Sequence, residues 1–138
     1  MTSEHAETLR AVGLRATRQR LTLLEALRGR EDAVTAQELH AELRTAGERI
    51  GLTTVYRTLS SLADARFVDT FARDGEQAYR LCSEAHHHHL VCETCNRVTE
   101  ITAEEVELWV AAVARRRGFR VTGHRADVFG VCAVCAAA

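Results

Sequence analysis

Apolar residues recur at helical spacing through the first part of the chain and alternate with polar ones after it. A short helix is expected at about 4–12. Thr17 is placed to cap a second helix, whose Leu21, Leu24 and Leu27 share one face to about Arg28. Thr35-Ala-Gln-Glu38 reads as a capping box, with Leu39 and Leu43 following at helical spacing. After a break at 47–51, Val55, Leu59 and Leu62 predict a helix over about 53–65. The period then drops to two. Phe67-Val-Asp-Thr-Phe71 and Glu76-Gln-Ala-Tyr-Arg-Leu81 flank Asp74-Gly75, the strongest short hairpin signal. Helices followed by a small hairpin make a winged-helix pattern, whose last core helix can enter a major groove.

The remainder reads strand, knuckle, strand, helix, strand, knuckle. Residues 87–91 and 97–101 flank Cys92-x-x-Cys95. Thr102-Ala-Glu-Glu105 reads as another capping box, and Val106, Trp109, Val110 and Val113 form a narrow apolar stripe on a helix to about Arg117, stopped by Gly118. Residues 119–131 look extended and lead to Cys132-x-x-Cys135. The expected class is α+β: a winged-helix domain over 1–83 and a smaller α/β domain over 84–138. So thin an apolar stripe in a small domain calls for a staple such as a metal.

Composition narrows the partners less than the chemistry does. The 138 residues carry a net charge of −1, and residues 1–83 balance 12 Arg against 12 acidic residues. Bulk charge makes no case for nucleic acid; any DNA-binding face has to come from the placement of arginines. All 18 basic residues are Arg, which can make bidentate contacts to phosphate or guanine that Lys cannot. No apolar run is long enough to span a bilayer and no signal peptide is evident, so a cytoplasmic setting is expected. There, paired cysteines are thiolate ligands more often than disulfides.

Nearly every soft metal ligand lies from Cys82 onward. Cys92, Cys95, Cys132 and Cys135 can close a tetrahedral, structural zinc shell; the bland alternative is two redox pairs or unrelated cysteines. His86 to His89 are consecutive, and in an extended chain successive side chains point to opposite faces. One peptide can therefore supply two sites. His87 and His89 could join Cys82 and Asp69, a mixed set that suits zinc and disfavours magnesium, calcium or manganese. Cys82 could equally be a buried small residue and Asp69 a surface charge. His86 and His88 could join Glu107 and His124, although lone residues of these types are usually solvated. No His-Glu-x-x-His motif or open coordination position is evident, so no catalytic residue is assigned.

The combined motifs resemble the ferric uptake regulator superfamily of metal-responsive repressors. They are Gly13-Leu-Arg-Ala-Thr-Arg-Gln-Arg20, Gly51-Leu-Thr-Thr-Val-Tyr-Arg-Thr-Leu59, His86-His-His-His-Leu-Val-Cys-Glu-Thr-Cys95 and the final Cys-x-x-Cys. Tyr79-Arg-Leu-Cys82 looks most like the zinc-sensing branch. The resemblance implies a homodimer with an N-terminal DNA-binding domain, a C-terminal dimerisation domain and a hinge near 83–87. It implies a structural zinc at the four cysteines, a sensing site at Asp69, Cys82, His87 and His89, and a second regulatory site at His86, His88, Glu107 and His124. That makes two to three zinc ions per subunit. The DNA contacts it implies are Arg15, Thr53, Thr54, Tyr56 and Arg57, with a pseudo-palindromic operator as partner. Two positions depart from the family pattern: Gln19 stands where Pro is frequent, and Arg15 where Lys is usual. An iron- or manganese-sensing relative, or a zinc buffer or enzyme without DNA binding, are the alternatives.

Overall fold

The computed structural model describes residues 2–82 and 86–138. The expected hinge near 83–87 thus falls partly on residues outside those described. The chain divides into two compact units, Met1–Glu84 and Ala85–Ala138.

The N-terminal unit begins with α1 (Thr2–Ala11) and α2 (Arg18–Leu27). His5 Nε2 lies 2.8 Å from Glu25 Oε2, tying these helices together. Thr17 caps α2 by accepting the backbone N–H of Arg20 at 3.3 Å. After β1 (Val34–Thr35), α3 (Ala36–Thr45) starts with both halves of its capping box: Glu38 N–H donates to Thr35 Oγ1, and Thr35 N–H to Glu38 Oε1. Then come α4 (Leu52–Asp64) and the hairpin strands β2 (Val68–Arg73) and β3 (Glu76–Leu81). Asp74 and Gly75 both take positive φ, 50° and 80°, the geometry of a primed two-residue turn. The antiparallel sheet runs β1-β3-β2. Arg73 ties it to α3, donating to Glu38 Oε2 at 2.6 Å and to the Ala33 carbonyl at 2.9 Å.

The helical periodicity becomes one core. Leu9, Leu23, Leu24, Leu27, Leu39, Val55, Leu59 and Leu62 are almost wholly buried in it. Each such leucine contributes roughly 1.5–3 kcal/mol by leaving water. Because Val55, Leu59 and Leu62 face inward, Thr53, Tyr56 and Arg57 are left on the exposed side of α4.

The C-terminal unit is a sheet in the order β5-β4-β6, from β4 (His88–Cys92), β5 (Val98–Ile101) and β6 (Asp127–Gly130). β4 pairs antiparallel with β5 and parallel with β6, and the parallel pair requires the crossover that α5 (Glu104–Arg117) provides. Gly118 ends α5 in the left-handed region at φ 72°, as expected of a C-terminal glycine. The capping box expected at Thr102 does not form. The N-cap is Ala103, whose carbonyl accepts the N–H groups of Val106 and Glu107. With the start one residue later, Glu105 is no longer three positions past the cap, so the reciprocal bond has no geometry. The extended run expected over 119–131 is regular only at β6, and the last knuckle opens a short helix, α6 (Ala133–Ala137).

This unit buries little. No residue of α5 is fully buried, and Leu108, Trp109 and Phe119 are 63%, 65% and 74% exposed. Among the described residues it buries Val98, Cys92, His88 and His89. Histidine and cysteine side chains occupy the place of a core.

Candidate metal centres and DNA-facing surface

Cys92 ends β4, and the turn back to β5 passes through Asn96 at φ 64°, with Asn96 N–H bonded to the Cys92 carbonyl at 2.9 Å. Cys132 caps α6 and Cys135 lies one turn along it. One sulfur from each of Cys92, Cys95, Cys132 and Cys135 lies within 4.8 Å of all the others. Cys95 and Cys132 sulfurs are 3.8 Å apart, far beyond a disulfide's ~2.05 Å. Tetrahedral zinc–thiolate bonds of ~2.3 Å put sulfurs about 3.8 Å apart, so the spacing fits that ion.

The electrostatics fit as well. Backbone N–H groups of Cys132, then Cys95, hold the Cys92 thiol down at about 6. Cys132 is also lowered, chiefly by the Cys135 backbone. Cys135 is pushed up to about 12 by the neighbouring Cys132 and Cys95 thiols. Four thiolates in this space would repel one another, which is why Cys135 is held protonated, and a divalent cation would relieve that repulsion.

The second cluster lies on the face of His86 and His88. Glu107 reaches from α5, and three imidazoles converge on it. His86 Nε2 and His88 Nε2 lie 3.0 and 2.6 Å from Oε1, and His124 Nε2 lies 2.6 Å from Oε2. These contacts, with His88 first, hold the Glu107 carboxyl below its usual range. The ligand atoms of His86, His88, Glu107 and His124 all lie within 4.8 Å of one another. The donor set fits a metal with one condition. Ala126 N–H donates to His88 Nδ1 at 3.2 Å, which leaves the ring proton on Nε2, facing Glu107. A metal on Nε2 would require that bond to give way.

Asp69 sits on β2 opposite Arg80, and Cys82 follows the end of β3. Burial, then a hydrogen bond with Asp69, pushes the Cys82 thiol up to about 12, against the opposing pull of Arg80, which donates to its sulfur at 3.4 Å. In the C-terminal unit the His87 and His89 rings pack edge to face, centroids 4.7 Å apart. His87 Nδ1 lies 3.5 Å from Glu100, and His89 Nδ1 2.8 Å from Asp127. Glu100 and Asp127 were not anticipated. Glu100 is the register partner of His89 on β5 and Asp127 its partner on β6, relations that sequence spacing does not carry.

On the N-terminal unit, Arg15 is exposed just ahead of α2, and Tyr56 is 43% exposed on α4. Thr53 and Arg57 are exposed and Thr54 half-buried. Gly51, the N-cap of α4, has no side chain to cap it. The two preceding carbonyls are held instead: Gln19 Nε2 donates to Arg49 O at 2.5 Å, and His40 Nε2 lies 3.0 Å from Ile50 O.

A helical unit with a β-hairpin wing, followed by a unit built on thiolate and imidazole clusters, defines a winged-helix protein with metal-ligand centres. Residues 11–129 match the model of the ferric uptake regulator family. The chain belongs to that family. It is 51% identical over 126 residues to the zinc uptake regulation protein of Mycobacterium tuberculosis, covering 91% of this chain and 97% of the relative. The ferric uptake regulator of Vibrio cholerae superposes with a TM-score of 0.74 at 34% identity, over 91% of this chain and 98% of that one. A zinc uptake regulator solved with zinc and DNA superposes at 0.73 and 28% identity, over 99% and 93%.

Proposed function

We propose that this chain is a zinc-responsive transcriptional repressor that binds operator DNA as a homodimer and controls zinc uptake. The carrying observation is the thiol of Cys82 paired with Asp69 on the wing hairpin. A thiolate–carboxylate pair joined by imidazoles selects zinc over harder cations. The name of the M. tuberculosis relative and the DNA complex of the zinc-bound regulator support the same reading.

In this reading residues 1–83 bind DNA and 84–138 dimerise, in a cytoplasmic setting. The exposed apolar side chains of α5 and β6, Trp109, Phe129 and Val128 among them, are what a second copy would cover. Cys92, Cys95, Cys132 and Cys135 hold a structural zinc. Asp69 and Cys82, with His87 and His89, hold the sensing zinc, and His86, His88, Glu107 and His124 hold a second regulatory one. Zinc supplies a link that exists only when wing and histidine strand meet. That link favours one placement of the two α4 helices, so that Thr53, Thr54, Tyr56 and Arg57 enter successive major grooves while Arg15 reaches the minor groove. Metal and operator binding are then reciprocally coupled, typically by ~1–3 kcal/mol per site.

The test is an operator titration against zinc, iron(II) and manganese(II) for the wild type and Cys82→Ser. Zinc should tighten wild-type binding by roughly 5–150-fold, the range of that coupling, and the variant should lose most of the effect. Unchanged zinc dependence in Cys82→Ser would overturn the sensing assignment. A preference for iron or manganese would make the chain a sensor of that metal.

A further inference from the structure

We propose that Asp127 is a positioning residue for the sensing zinc: it fixes the tautomer of His89, and Arg125 holds it in place. The proposal rests on the reading of Asp69, Cys82, His87 and His89 as the sensing site.

The argument starts from what each group can donate. A carboxylate only accepts, and a neutral imidazole carries one N–H. Asp127 Oδ1 lies 2.8 Å from His89 Nδ1, so the ring proton belongs on Nδ1. The metal-binding lone pair is then on Nε2, across the ring from β6. His89 is 3% exposed and Asp127 15%, so water competes weakly for this bond. Parallel pairing sets the two residues opposite each other, and His89 N–H bonds to the Ala126 carbonyl at 3.2 Å. Arg125 Nε donates to Asp127 Oδ2 at 2.7 Å, which leaves Oδ1 directed at the imidazole.

The neighbouring histidine shows that this arrangement is selective. Ala126 N–H donates to Nδ1 of His88, placing the proton of that ring on Nε2, toward Glu107. Adjacent residues at the start of β6 therefore impose opposite tautomers on adjacent histidines. Of His88 and His89, it is His89 that is preset to ligate through Nε2. A carboxylate behind a metal-binding imidazole also raises its basicity, and losing such a partner typically weakens metal affinity about 10–100-fold.

The experiment uses the full-length dimer with its structural zinc retained, and zinc as the probe. Asp127→Ala should weaken regulatory zinc about 10–100-fold, and Asp127→Asn, which keeps an acceptor but not the charge, by less. Operator affinity at saturating zinc should equal that of the wild type, which a general structural defect would not allow. In unmodified protein depleted of regulatory zinc by mild chelation, ¹⁵N spectra should place the His89 proton on Nδ1. That measurement and Arg125→Ala, expected to weaken zinc more mildly, decide the matter even if Asp127→Ala does not fold. Wild-type zinc affinity in Asp127→Ala, with the affinity lost in Cys82→Ser, would overturn the role of Asp127 and leave the sensing site standing. So would a His89 proton on Nε2. If neither variant changed zinc binding, the site itself would be misassigned.

Discussion

Replacing Cys95 by serine should unfold the C-terminal unit and leave the N-terminal one folded. Cys95 is exposed, so the substitution opens no buried cavity; its effect is the loss of one of four clustered thiols. The stake is large because the unit has little else. Val98 is its one fully buried aliphatic side chain among the described residues, contributing about 1.5–3 kcal/mol by burial. Ordering each backbone residue costs roughly 1–2 kcal/mol. Structural zinc supplies on the order of 10–16 kcal/mol of apparent binding energy in small domains, and that energy is folding energy. The N-terminal unit has its own leucine core and no share in this cluster. The chain provides its own probes. Its one tryptophan, Trp109, lies on α5, and its two tyrosines, Tyr56 and Tyr79, lie in the N-terminal unit. In Cys95→Ser, sedimentation should give a monomer, Trp109 emission should shift toward that of solvated indole as the second copy that covers this 65%-exposed side chain is lost, and bound zinc should fall by one per chain. Tyrosine near-ultraviolet signals should persist and melt cooperatively. A dimeric variant with native Trp109 emission would refute the reasoning.

Two further outcomes follow from the N-terminal unit. Gln19→Ala and His40→Ala should each weaken operator binding about 2- to 10-fold, the worth of a hydrogen bond of ~0.5–1.5 kcal/mol, with zinc affinity unaltered; equal operator affinity would show that the α4 entry is rigid without them. The Arg73 contact, then the Thr35 bonds, hold the Glu38 carboxyl below its ordinary 4.5, so this pair stabilises the unit above that pH and its contribution is lost as pH falls through the lowered value. Glu38→Gln keeps the capping acceptor and removes the charge. Melting should separate it from the wild type by a few tenths of a kcal/mol near neutrality, because the carboxylate is half exposed, and the gap should close in acid; a gap that widened there would refute the assignment.

Local chemistry was readable at several places where the partners are close in sequence. The capping box of Thr35 and Glu38, the primed turn at Asp74-Gly75 and the two Cys-x-x-Cys pairs are such cases. The alternation of the histidine run was readable too: His86 and His88 meet Glu107 while the His87 and His89 rings pack together, although β4 itself begins only at His88. The start of α5 was misplaced by one residue, since Thr102 and Ala103 compete for one cap and tertiary context decides. The stripe of Val106, Trp109, Val110 and Val113 was legible as a pattern, yet it predicts burial that one copy of the chain does not provide. Asp127, Glu100, Gln19 and His40 were invisible for a common reason. Each acts on a residue brought near by strand register or helix packing, and nothing in its own neighbourhood distinguishes it from a solvated polar side chain.

A run of four identical side chains is indifferent to a shift of one place. If β4 slid by a residue against β5 and β6, histidines would still present themselves on both faces, and each pair would stand before the other's partners. Sequence within the run cannot prevent that error. Cys92 can, because it ends the same strand and its sulfur must meet three others. Its distance from His89 fixes which histidines face which way. The cysteine cluster therefore acts as an index mark for the strand, and the facing of both histidine pairs depends on a cluster that shares no residue with them.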